Sequence, residues 1–136
     1  MARRKQTATH RRFCNCYNKV MSSNDFDRAD SYRIWSDHPY SIWSGRNGSD
    51  IGDSLARHHI CGRRSGDPTL SSMYNCALIL NHTENIARHG ELQDPEVQRL
   101  LLNKVKRHID QIIDNGGYTR TEIDEAFLKD KADYYD

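Results

Sequence analysis

Between Asp94 and Gly117 the chain reads as one long amphipathic helix, and its apolar face limits what the rest of the chain can build. Asp94 is a natural N-cap, because its short carboxylate can accept from the open N–H groups of a first turn. Pro95 suits the first helical position, where a missing N–H costs nothing. Val97, Leu100, Leu101, Val105, Ile109, Ile112 and Ile113 then recur at spacings of three and four, which puts them on one face. Lys104, Lys106 and Arg107 lie largely off that face, as a solvated surface or as contacts for phosphate. Asn115, Gly116 and Gly117 close the helix. Thr119 and Glu122 have the spacing of a capping box, opening a last helix with Ile123, Phe127 and Leu128, so the C-terminal helices span 95–133.

That face has little apolar material to pack against. Only 36% of the 136 residues are hydrophobic and the mean hydropathy is −0.90, so the core is small and a bound metal would help to staple it. The length favours one domain. The net charge of +1 hides an asymmetry: the first twelve residues carry Arg3, Arg4, Lys5, Arg11 and Arg12 without an acid, whereas the last twenty are rich in Asp and Glu. Residues 1–12 read as a flexible basic arm, either a solvated terminus or a nucleic-acid contact, ahead of a single domain over 13–136. No apolar run is long enough to span a membrane, and no signal-peptide core follows Met1. A cytoplasmic protein with no membrane partner is expected, its four cysteines reduced. Cys14-x-Cys16 is not a standard zinc spacing. With Cys61 and Cys76 the pair forms either a structural zinc site or scattered small core residues.

A short aromatic echo precedes the centre of the chain. Tyr32-Arg33-Ile34-Trp35-Ser36 is followed by Tyr40-Ser41-Ile42-Trp43-Ser44, with Asp37, His38 and Pro39 between. The alternation predicts two short extended segments around a turn. Both tryptophans are expected to fill the core, the alternative being a stacking platform for bases. Gly45 to Gly52 reads as a loop that can carry Arg46 towards a phosphate.

The chemistry concentrates between Ala56 and Gly90. His58 and His59 are adjacent, and neighbours on an extended segment point to opposite sides. Where a strand opens into a loop, one imidazole can bind a metal while the other takes the proton of an attacking water, a task its near-neutral pKa suits. Gly62, Gly66 and Pro68 mark the loop, and Arg63 and Arg64 can clamp a phosphate there. Asn75 then precedes Ala77-Leu78-Ile79-Leu80, which reads as a short buried strand; such an Asn fixes a loop or orients a histidine through its side-chain carbonyl. Asn81 to His89 is predicted as a short helix ending at Gly90. Asn85 and His89 share one face of it, and His82 borders that face. A helix laid over a two-stranded hairpin would bring them to His58, giving one divalent metal two imidazoles and an amide oxygen.

The run His58-His59-Ile60-Cys61-Gly62-Arg63, then a loop, Asn75, a short apolar strand and a helix with His or Asn ligands, resembles the HNH endonuclease family, in particular its small phage-type members. The resemblance covers about 35 residues. It implies an α+β fold: a ββα-metal core over 56–90, an aromatic N-terminal region and two C-terminal helices. It implies His58 as first metal ligand, His59 as general base and Asn75 as the residue that positions it. Leu80 to His89 fits the family frame Leu-Cys-x-x-Cys-His-x-x-x-His with both cysteines replaced and Asn85 in place of the first His, so Asn85 and His89 would be the helical ligands. A rival register makes His82 the ligand and leaves Ile86 where the second should stand. The implied activity is hydrolysis of DNA phosphodiester bonds with one Mg²⁺, Mn²⁺ or Zn²⁺. Arg63, Arg64, Arg46, Arg3 and Arg4 are the candidate DNA contacts, and the cytoplasm of a phage-infected bacterium is a possible setting. RNA as substrate stays open. The other class compatible with these histidines is a zinc-stabilised nucleic-acid-binding or inhibitory adaptor without catalysis.

Overall fold

A computed structural model describes residues 26–62 and 67–136. Its elements are α1 (Arg28–Trp35), β1 (Leu55–His59), β2 (Cys76–Leu80), a π-helix (Asn81–Ile86), α2 (His89–Leu92), α3 (Pro95–Asp114) and α4 (Glu122–Asp130), with short 3₁₀ turns between. The architecture is α+β, and the sheet is a two-stranded antiparallel hairpin. Its register pairs Leu55 with Leu80, His58 with Ala77 and His59 with Cys76. β2 is buried along its whole length, as its unbroken apolar run requires. α3 packs against it, and α4 lies over the 3₁₀ turns that lead into it. Among the described residues no helix is long and apolar enough to cross a membrane.

The long helix forms where its signals place it. The Asp94 carboxylate accepts from Glu96 N at 2.8 Å and Pro95 is the first helical residue. At the other end Gly117 N donates to Ile112 O and Gly116 N to Ile113 O, with Gly116 at φ 79°, the left-handed conformation that lets such a closing motif form. The buried face differs by a small rotation: Leu101, Leu102, Val105 and Ile109 are buried, whereas Leu100 is 43% exposed. The last helix is capped by Thr121 and not Thr119, in a capping box whose other member is Asp124. The reason is tertiary. Asp124 is buried, where its carboxylate accepts from Ser72 Oγ, Met73 N, Thr121 N and the Tyr118 hydroxyl. This anchors the helix start two residues later than the local spacing indicates.

Three further expectations fail. Tyr32 to Ser36 is not extended but belongs to α1 and its C-cap. Asp27 caps that helix through Asp30 N at 2.8 Å, and Ser31, Ile34 and Trp35 bury one helical face. Tyr40 to Ser44 is likewise no strand. Gly45 N closes onto Ser41 O at 2.8 Å, although Ile42 N reaches the edge of β2 at Leu78 O. The segment after β2 also does not end at Gly90, which lies inside α2. The basic arm, with Arg3 and Arg4, falls outside the described residues, as do Cys14 and Cys16.

Candidate metal centre

The alternation of β1 gives the two histidines different surroundings. Arg57 and His59 share one face and meet Phe26. Arg57 donates to Phe26 O at 3.2 Å and to Ser31 Oγ at 3.0 Å, and the Phe26 ring stacks on the His59 imidazole with centroids 4.3 Å apart. His58 projects to the opposite face, where the Asn85 side chain and the His89 ring are the groups that act on it. His58 is buried, and burial pushes its pKa down to about 4, against the Asn85 amide, which favours the protonated form, and with the charges of His59 and His89. The ring is therefore neutral at pH 7, with a lone pair to give. Its Nε2 is buried and has no hydrogen-bond partner among the described residues. An orphaned imidazole nitrogen beside an amide and a second imidazole fits a divalent cation.

The helix that supplies those neighbours is held by two buried acids. Asp53 accepts from His82 N at 3.0 Å, Thr83 N at 2.8 Å and the Thr83 hydroxyl, capping the open N–H groups of the π-helix. Glu84 is 2% exposed; its Oε1 accepts from Leu80 N at 2.9 Å and Ser41 Oγ at 2.6 Å, tying the helix to the end of β2. Within the segment Ala87 N bonds His82 O, five residues back, and Arg88 N bonds Glu84 O, four back, so the wide π-turn hands over to α-geometry before His89. The Asn85 side chain hydrogen-bonds His58, and the charge of His89, which is itself exposed, acts on the same ring. His82 is exposed, and it is its main-chain N–H that Asp53 holds. Among the described residues no three His, Cys, Asp or Glu side chains form a cluster, so the candidate ligand set is two imidazoles and one amide.

Asn75 does not orient His59 through its side-chain carbonyl. It is fully buried, Oδ1 accepts from Cys61 N at 2.7 Å, and Nδ2 donates to Leu70 O at 2.9 Å and Cys61 O at 3.2 Å. With Ile60 N on Asn75 O at 3.0 Å, it pins the backbone just beyond His59 and closes the neck of the connecting loop. Arg63 and Arg64 in that loop lie outside the described residues. Arg46 is exposed on the turn before β1. Cys61 and Cys76 are both buried free thiols; burial raises both, and Cys76 is pushed up to about 12.

Sequence reasoning missed Asp53 and Glu84. No pattern distinguishes them from solvated acids, and the usable signal was an acid in the first turn of a helix entered straight from a strand. Family models, curated proteins and solved structures were all compared with the chain, and none matches it.

Proposed function

We propose that the protein is a divalent-metal-dependent endonuclease of the HNH type that hydrolyses DNA phosphodiester bonds. The observation that carries the reading is His58: a buried, neutral imidazole near the end of the first strand of the hairpin, its Nε2 without a partner among the described residues, facing Asn85 and His89. His58, His89 and the Asn85 oxygen would hold the metal. When bound, Mg²⁺, Mn²⁺ or Zn²⁺ supplies charge stabilisation at the phosphate and the leaving oxygen. His59, the last residue of β1, where the strand opens into the connecting loop, is the general base. It takes a proton from water as the water oxygen bonds to phosphorus and the phosphorus–oxygen ester bond breaks. Phe26 fixes the plane of that ring by stacking, and Asn75 fixes the backbone that follows it. Arg46 is the described candidate for a phosphate contact.

The test separates binding from chemistry. His59→Ala abolishes cleavage but leaves the protein folded and its metal affinity by calorimetry intact, whereas His58→Ala loses the metal. Full cleavage by His59→Ala removes that residue from its role. A parent protein that cuts neither duplex, single-stranded nor branched DNA with any of the three metals removes the reading.

A further inference from the structure

The turn Ser41–Ser44 is built into the frame that carries the metal centre. Ser41 Oγ donates to Glu84 and accepts from Trp43 N and Ser44 N, each at 3.1 Å. Lys104 Nζ donates to Trp43 O at 3.1 Å from α3. These bonds hold the half-buried Trp43 indole against Arg88, whose guanidinium carbon lies 4.0 Å from the ring centroid. Arg88 immediately precedes His89. Its Nε and Nη2 both donate to Glu91 Oε2, at 3.1 and 2.5 Å, while the side chain stays 43% exposed. The Nε–Nη2 edge of the guanidinium is therefore engaged by Glu91, its carbon lies over the Trp43 ring, and the side chain remains partly exposed to solvent. The other indole, Trp35, is completely buried and offers no such surface.

We propose that the Trp43–Arg88 stack is a base-binding platform at the rim of the metal centre, taking an unpaired base of a DNA strand close to the cleaved phosphate. Its place in the reaction rests on the nuclease reading. Bases stack on aromatic rings and on guanidinium planes with little regard to sequence. The Glu91 ion pair orients the plane and offsets its charge, so the contact works by stacking and not by counterion release.

The experiment measures binding of a fluorescein-labelled single-stranded DNA by anisotropy over a range of salt, with Mg²⁺ present. The full chain carries His59→Ala so that the strand survives. Arg88→Ala is expected to weaken binding about ten-fold, with the salt slope unchanged and, because the side chain is exposed, the melting curve unchanged. Arg88→Lys keeps the charge without the plane and is expected to lose nearly as much; Trp43→Phe retains part of the affinity. Unaltered binding by Arg88→Ala, full binding by Arg88→Lys, or a salt slope reduced by about one overturns the platform. If the parent cuts no DNA but Arg88→Ala still loses the strand, the nuclease reading falls and the platform stands. If the parent cuts and Arg88→Ala binds as before, the platform alone falls.

Discussion

At the scale of single residues, buried polar side chains carry most of the specification. Asn75 spends three hydrogen bonds on main chain that no water reaches. Asn75→Ala leaves Cys61 N and two carbonyls without partners, and we expect a loss of about 2–4 kcal/mol in urea unfolding. Cleavage should be impaired even at temperatures where the variant is folded, because the backbone after His59 is no longer pinned. Asp124 gives the complementary case. Its two oxygens each accept from two donors, Oδ1 from Ser72 and Met73 and Oδ2 from Tyr118 and Thr121. Asp124→Asn turns one acceptor pair towards an NH₂ group, so a near-isosteric change should lower Tm by several degrees in a thermal melt. The role of Asp124 was not legible in the sequence, whereas fixing a loop was one of the two roles read for Asn75. Hydrophobic patterning marks which apolar residues go inside but is silent about which carboxylates and amides go with them. His58 and His59 were legible because their adjacency on a strand already assigns them to opposite faces.

At the scale of elements, what could be read depended on whether the signals were local. α3 has its cap, its Pro and its closing glycines within its own length, and it forms where they stand. α1 has aromatic and β-branched residues that locally favour a strand, and it is helical because Asp27 caps it and the core takes Ser31, Ile34 and Trp35. The π-helix is invisible to periodicity, since it exists through the cap that Asp53 supplies from across the hairpin. Burial acts to raise the Asp53 pKa, but the hydrogen bonds from Thr83, His82 and Ser54 outweigh it and hold the carboxyl below its usual value. A depressed folded-state pKa gives stability that is present above the unfolded value, about 3.9, and lost as pH falls through the folded one. Asp53→Asn is therefore expected to unfold more easily than the parent at neutral pH, with the two denaturation midpoints converging as the pH falls below about 4.

At the scale of the whole molecule, the proposed centre joins a strand to a helix, so metal binding there would be linked to folding. At a hundred-fold excess over Kd, Mn²⁺ or Zn²⁺ should stabilise the parent by about 2.7 kcal/mol, seen as a rise of several degrees in Tm that a chelator reverses. His58→Ala should show no such rise; an equal rise would put the ion elsewhere. The α+β class was legible from one long helix and one short apolar strand. The way the N-terminal turn, the hairpin and α3 close around one another was not, because Lys104 on Trp43, Glu84 on Ser41 and Asp124 on Ser72 are long-range bonds between residues of ordinary type. The pairing of His58 with Ala77 and His59 with Cys76 has one more consequence. Facing along β1 is a matter of odd and even. One residue inserted between Leu55 and His58, with the start of the strand held in place, would exchange the two imidazoles, turning His58 towards Phe26 and His59 towards Asn85. Two inserted residues would restore each to its own side, so the strand tolerates changes of length by pairs where it cannot tolerate a single step.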